Sequence, residues 1–288
     1  MLNMPEVRGL YHEPTSTFSY VVWDPASRHA AIVDPVLDYD GAAGRTDTVT
    51  AAALLAIVER EGLEVQWLLE THAHADHLSA AGFLHERTGV PVGIGAGIAS
   101  VQATFSEIYN LGPGFPTDGR QFDRLFVDGD RFPLGELEVR VLATPGHTSD
   151  SVTYLAGDAA FVGDTLFSPD YGSARCDFPG GDAATLYRSV QRLYALPPET
   201  RLFLCHDYPP DGRAPRCEWS VAEQRDANIH ITARTREEAF VAMRRERDAT
   251  LKMPALILPA VQVNIRAGRL PEPDNNGTRY LRVPLDTL

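Results

Sequence analysis

Lysine is nearly missing from this chain of 288 residues: Lys252 is the only one, and arginine supplies the rest of the 26 basic side chains. Against them stand 39 acidic residues, so the formal net charge is −13, and no basic block breaks the balance. Polyanions would be repelled, which argues against nucleic acid as a partner. Cysteine is scarce too. Cys176, Cys205 and Cys217 form no C-x-x-C pair and leave an odd number, so reduced thiols are expected rather than a disulfide framework. No stretch approaches the roughly 18 to 20 consecutive apolar residues of a membrane span. The opening "MLNMPEVRGLYHEPTSTF" lacks the basic-then-apolar layout of a secretory signal. A cytoplasmic protein with no membrane partner is the expectation.

What the chain does have is 44% hydrophobic residues, enough for a sizeable core. Apolar runs bounded by turn residues predict strands at 18–23, 30–35, 65–71, 90–95, 124–127, 137–143, 151–156, 159–163 and 201–206. Helical spacing predicts helices over 48–63, 76–89, 97–112 and 183–195, and helical residues over 218–251 with a break near 230. A loop covers 168–182, and the tail from 255 to 285 reads as extended and turn-rich. Strands in two sets with helices around them suggest two packed sheets with helices outside.

The stretch "THAHADH" carries the strongest chemical signal. His72 and His74 leave the end of a predicted strand with period 2, and Asp76 and His77 fall where a helix is expected to begin. A lone histidine is usually a surface or satisfied core residue. Three histidines and an aspartate in six positions suit a metal site instead. Downstream, "TPGHTSDS" places His147, "FVGDTLF" places Asp164 and "LFLCHDY" places His206, each where an apolar strand gives way to a turn. All could converge on one sheet edge. His12, His29, His85 and His230 lack such company and are read as structural or solvent-facing.

The set H-x-H-x-D-H, G-H-T, G-D-T and C-H-D resembles the metallo-β-lactamase superfamily across most of residues 15–210. The resemblance implies an α/β fold, the αββα sandwich, with a metal site at one edge of the two sheets. It assigns a catalytic domain to 1–230 and a helical and extended C-terminal extension, packed on the same domain, to 231–288. Across the superfamily, His72, His74, His147 and Asp164 would hold a first metal. Asp76, His77, Asp164 and His206 would be available to a second. Flavodiiron relatives usually carry glutamate where this chain has His74, which disfavours that branch.

Two branches remain, the glyoxalase II type of thioester hydrolase and the persulfide dioxygenases. "THAHADHLSAA" and especially "YGSARCDFPGGD" are similar to the dioxygenases, above all to a bacterial, lactamase-like subgroup. "CHDYPP", "CEWSVAEQRDANIH" and "VQVNIRAGRLPEPDNNG" extend that likeness over nearly the whole chain. The resemblance implies an oxidoreductase with one Fe(II) per chain, held by His72, His147 and Asp164, two imidazoles and a carboxylate on one face. Its substrates would be glutathione persulfide and O2, its products sulfite and glutathione. His74, Asp76, His77 and His206 would then fix the ligands through hydrogen bonds, or hold a second ion.

Arg175 is the expected substrate-binding residue, because its guanidinium fork matches a carboxylate. Tyr208 would donate its phenol to the substrate or make a structural hydrogen bond, and Asp177 would order the loop or pair with Arg175. Cys176 and Cys205 are read as packing groups or as targets of persulfide. A homodimer or homotetramer is implied. The competing expectation is a binuclear hydrolase of glutathione thioesters with two Zn, Fe or Mn ions. The helical residues 218–251, with Arg244, Arg245 and Arg247, fit it in part; the Pro/Asn/Gly-rich end does not. A non-catalytic sulfur carrier or redox sensor would have no need of the ligand set.

Overall fold

The computed structural model describes residues 4–287; residues 1–3 and 288, the outer limits of the two expected regions, lie outside the described residues. One six-stranded sheet has the order Glu6–His12, Thr17–Trp23, His29–Val33, Glu64–Leu69, Val92–Gly95, Arg124–Phe126. The second has the order Arg131–Leu134, Leu137–Ala143, Val152–Ala156, Ala159–Phe161, Arg201–Phe203, Glu218–Ser220. Arg45–Asp47, Val36–Asp40 and Leu78–Ser79 form a smaller, three-stranded sheet.

Strand alternation builds the layers, because successive side chains face opposite sides of a sheet. In Thr17–Trp23, Tyr20 and Val22 enter the core between the sheets, whereas Val21 and Trp23 pack with the helices outside. Ala31 and Val33 divide from Ala30 and Ile32 in the same way. On the second sheet Phe161 and Phe203 meet the Tyr20 ring edge-on, while Ala160 and Leu202 face Leu186, Val190 and Phe240. The result is helix, sheet, sheet, helix.

The same topology positions the site. Leu137–Ala143 and Ala159–Phe161 point the same way, two antiparallel steps apart, and Ala159–Phe161 runs parallel to Arg201–Phe203. In the first sheet His29–Val33, Glu64–Leu69 and Val92–Gly95 are mutually parallel. The isolated bridge between Thr17 and His206 joins the two sheets at the end where these strands finish. Loops leaving them therefore meet at one edge.

Several elements differ from the sequence expectation. The helix expected over 76–89 is confined to Ala81–Thr88, because Leu78 and Ser79 pair with Leu37 and Val36 instead. Asp76 and His77 thus sit in a turn. Residues 218–251 split into the strand Glu218–Ser220 and the helices Val221–Ala227 and Glu237–Asp248. A capping box between Ser220 and Glu223 starts the first helix, and Asn228 ends it by accepting from the His230 and Ile231 amides. The tail is not wholly extended: Ile257–Asn264 is a helix in the core. Its Pro259 lies in the first turn, where a missing N–H breaks no intrahelical bond. The strands Glu6–His12, Val36–Asp40, Arg45–Asp47 and Arg131–Leu134 were not anticipated.

Candidate metal centre

A buried network shapes the histidine loop before any metal is considered. Asp34, in a left-handed conformation at the end of a strand (φ 49°), accepts from the Thr71 amide at 2.7 Å and the Thr71 hydroxyl at 2.9 Å. The same carboxylate accepts from His74 Nε2 at 3.0 Å, and Glu70 Oε2 lies 3.5 Å from that nitrogen. Asp150 accepts from the Ala73 amide at 2.8 Å. From the C-terminal helix, Asn264 donates to the carbonyls of His74 and His77, both at 2.8 Å, and accepts from the Ser79 amide at 2.8 Å. Two glycines bring the other ligand loops close. A Cβ on Gly146 (φ 136°) would lie 2.3 Å from the Leu186 amide nitrogen, and one on Gly163 (φ 52°) 2.6 Å from the Thr71 hydroxyl.

The structure brings all seven predicted ligand residues together in two groups. In one, the ligand atoms of His72, His147 and Asp164 lie within 4.8 Å of one another. Asp164 Oδ2 is 3.6 Å from His147 Nε2 and 3.9 Å from His72 Nε2. The other joins His74, Asp76, His77 and His206 within the same limit. His206 Nε2 is 3.0 Å from Asp76 Oδ2 and 3.5 Å from Asp164 Oδ1, so Asp164 stands between the groups.

The far sides of the rings are held by the protein. His147 donates from Nδ1 to the Arg175 carbonyl at 2.8 Å, which leaves Nε2 with its lone pair toward Asp164. His72 Nδ1 meets the Thr71 hydroxyl at 3.0 Å. Thr17 Oγ1 lies 3.3 Å from His206 Nδ1 and 3.5 Å from His77 Nδ1. Five inward atoms remain buried without a hydrogen-bond partner: His72 Nε2, His74 Nδ1, His77 Nε2, His206 Nε2 and Asp164 Oδ1. Buried polar atoms are nearly always paired. Five orphans in one place, all of ligand type, fit a bound cation.

Electrostatics divide the set. Burial opposes a charge on His74 and His206, yet Asp34 and Asp76 respectively outweigh it and raise both well above the usual histidine range, so each must give up a proton before it can ligate. Burial, reinforced by neighbouring imidazoles, holds His72 well below the usual histidine range and His77 down at about 4, so both favour the neutral, ligand-ready form. Burial pushes the Asp164 carboxyl up, a cost that a cation would relieve. Burial opposes a charge on Asp76, yet His206 and His77 outweigh it and keep the carboxyl well below its usual range.

Above the centre opens a cavity of about 270 Å³, with Asp76, His147 and Asp164 at its base and Phe167, Tyr171, Phe178 and Tyr208 among its walls. Arg175 lines it, but Asp177 engages the guanidinium fork through two bonds of 2.6 Å. Its remaining arm donates to the Lys252 carbonyl at 2.6 Å, and the group lies 4.8 Å over the Phe178 ring. A substrate carboxylate would have to displace Asp177 to use that fork. Tyr208 stacks beside His206, and its hydroxyl makes no hydrogen bond to the described residues. Burial pushes its phenol up, so it stays protonated.

Cys176 and Cys205 are both buried with thiols pushed up by burial, which disfavours the reactive thiolate. His12, His29, His85 and His230 lie outside the two ligand groups. Each has a partner: Thr15 and Asp38, Glu64, Val90, and the Ser173 amide, respectively. Sequence reasoning missed Asp34, Asp150, Thr17 and Asn264. "IVDP", an aspartate closing an apolar strand, and the aspartate of "GHTSD" were the available signals; Thr17 and Asn264 had none.

This fold and centre define a metal-binding enzyme with its site at the edge of a helix-flanked sandwich. The sequence profile of the metallo-beta-lactamase superfamily matches residues 12–206, and the chain belongs to that superfamily. It is 53% identical to a probable metallo-hydrolase of Burkholderia pseudomallei (strain 1710b), covering 98% of this chain and 99% of that one. Glyoxylase B2 of Dictyostelium discoideum is 46% identical over all of this chain and 99% of its own. The mitochondrial persulfide dioxygenase ETHE1 of Homo sapiens is 31% identical, over 91% of this chain and 88% of that protein. Other relatives, 53 to 54% identical, are longer, and this chain spans 66% of their length. The crystal structure of ETHE1 from Myxococcus xanthus superposes with a TM-score of 0.72 at 32% identity, covering 92% of this chain and all of that one. Among the described residues no helix is long and apolar enough to cross a membrane.

Proposed function

We propose that this chain is a persulfide dioxygenase, oxidising the terminal sulfur of glutathione persulfide with O2 and using one Fe(II) per chain. The observation that carries the reading is the group of His72, His147 and Asp164, with His147 and Asp164 at the base of the cavity. Two imidazoles and one carboxylate are the donor set of non-heme iron oxygenases. Iron held there would supply the electron exchange with O2 that no side chain of this site offers. Overall, persulfide, O2 and water give thiol, sulfite and two protons; the terminal sulfur is oxidised and O2 reduced.

The chain's own residues bind and orient. Phe167, Tyr171, Phe178 and Tyr208 wall the cavity and limit water around the sulfur. The free hydroxyl of Tyr208, held protonated, donates to the substrate. Asp177 fixes Arg175, whose carbonyl fixes the His147 ring, so the pair acts on the centre by positioning. His74, Asp76, His77 and His206 hold the loop and its charge in place. A homodimer or homotetramer in the cytoplasm accompanies this reading.

The second reading, a binuclear hydrolase of glutathione thioesters, is favoured by the second group of donors and by the hydrolase and glyoxylase names of the more similar relatives. An oxygen electrode with glutathione persulfide, beside a thioester-cleavage assay with S-lactoylglutathione, separates the two. Oxygen uptake with sulfite release supports the dioxygenase; thioester cleavage without oxygen uptake overturns it.

A further inference from the structure

We propose that Arg213 is a positioning residue for the cavity: it clamps together the two segments that carry Tyr171 and Tyr208, and so sets where the two phenols stand beside the metal centre. The proposal rests on the reading above for the donation by Tyr208 to substrate and adds what aims that donor. Tyr171 and Tyr208 both line the cavity, and neither hydroxyl makes a hydrogen bond to a described residue. Their ring centroids are 4.8 Å apart, Phe167 meets both rings edge-on at 5.8 and 5.7 Å, and Tyr208 lies nearly parallel to His206 at 5.7 Å. Aromatic contacts are weak and tolerate offset, so stacking alone does not fix the spacing.

Arg213 fixes it from behind. The residue before each tyrosine is an aspartate, and both carboxylates end on this one guanidinium. Nε and Nη2 donate to the two oxygens of Asp170 at 2.7 and 2.8 Å, while Nη1 and Nη2 donate to those of Asp207 at 2.6 and 2.7 Å. Nη1 also donates to the Ala214 carbonyl at 3.1 Å, so all five N–H donors are used. Asp207 is the fixed side: it is fully buried, its carboxylate also accepts from the Arg216 amide at 2.7 Å, and its own amide donates to the Ser16 carbonyl at 3.2 Å. The other side is the exposed turn at Asp170, whose base is held by Gln224 at the Phe167 carbonyl and Asn228 at the Gly172 carbonyl. Among the described residues no hydrogen bond runs directly between 168–172 and 206–208, and the fork of Arg213 spans the gap. An exposed ion pair alone stabilises little; the effect here is geometric, because a buried carboxylate anchors the fork. Lysine lacks the planar fork that serves two carboxylates at once.

The experiment compares wild type with Asp170→Ala, Arg213→Gln and Arg213→Lys, each also made in a Tyr208→Phe background. Asp170→Ala leaves the Arg213 to Asp207 pair intact, so it opens the clamp without stranding a buried carboxylate even where Arg213→Gln does not fold. Kinetics use whichever substrate the metal-loaded enzyme turns over, glutathione persulfide or S-lactoylglutathione, so failure of the dioxygenase reading leaves the test standing. In Asp170→Ala kcat should fall about tenfold, equivalent to about 1.4 kcal/mol, with KM within about twofold. Bound metal per chain should not change, and Arg213→Lys should not restore kcat. In the Tyr208→Phe background the loss should shrink below about twofold, because the clamp acts through that phenol. Fully additive losses, unchanged kcat or lost metal overturn the proposal. Fluorine NMR of zinc-loaded protein carrying 3-fluorotyrosine at position 208 needs no turnover and decides the matter if neither substrate reacts. Asp170→Ala should displace or broaden the wild-type resonance; an unchanged resonance overturns the clamp.

Discussion

Replacing Asn264 with alanine should damage the metal centre from the far end of the chain. Asn264 is 4% exposed and makes three buried hydrogen bonds, two donated to the His74 and His77 carbonyls and one accepted from the Ser79 amide. Each is worth about 1 kcal/mol net, and a buried group left without a partner costs about 1 to 3 kcal/mol. With two carbonyls and one amide stranded, and some relief from loop rearrangement, the loss should be about 3 to 5 kcal/mol. Urea unfolding of the metal-free protein measures it as a lower midpoint at unchanged slope. Metal affinity should fall in parallel, since the imidazoles of His74 and His77 hang from the backbone that Asn264 holds. Asn264→Asp keeps the acceptor for Ser79 but faces both carbonyls with a carboxylate, so it should not rescue. A loss below about 1 kcal/mol with unchanged metal affinity would refute the reasoning.

Gly146→Ala should cost about 3 kcal/mol or more, read as a lowered Tm and metal content, because its Cβ would press on the Leu186 backbone at an unfavourable φ. Asp248→Ala strands the buried Arg244 guanidinium and should cost about 3 kcal/mol or more by denaturant unfolding. His230 is held down at about 4 by burial and by Arg244 and Arg247, and it accepts from the Ser173 amide. Between its unfolded value near 6.5 and about 4 the unfolded chain therefore binds the extra proton. Stability should fall across that window as pH drops, by about 1 to 2 kcal/mol after allowance for solvent screening, and His230→Gln should flatten the profile. Chelation should lower Tm, and titrating metal back to about a thousand times its Kd should restore about 4 kcal/mol.

The candidate metal ligands were legible because their signals are local: three histidines and an aspartate share one hexapeptide, and His147, Asp164 and His206 each follow an apolar strand. What fixes them was not. Asp34 reaches His74 across 40 residues, and Asn264 reaches it across 190. No local pattern encodes such contacts. The helix Ile257–Asn264 escaped notice because it is apolar on nearly every side and carries a proline, which blurs the helical period. The edge strand Glu6–His12 alternates too weakly to announce itself, since only its last residue is buried and the rest are half-buried or exposed. The pairing of Arg175 with Asp177 was within reach, two residues apart, whereas Lys252 joins their loop from 77 residues away.

The central claim is that the group of His72, His147 and Asp164 serves iron-dependent oxidation. Its most direct test is one sample of anaerobically purified protein on which bound metal, oxygen uptake and sulfite release with glutathione persulfide are all measured. The account predicts about one iron per chain and about one sulfite formed per O2 consumed. Two zinc or mixed ions per chain, with no oxygen uptake, would contradict it.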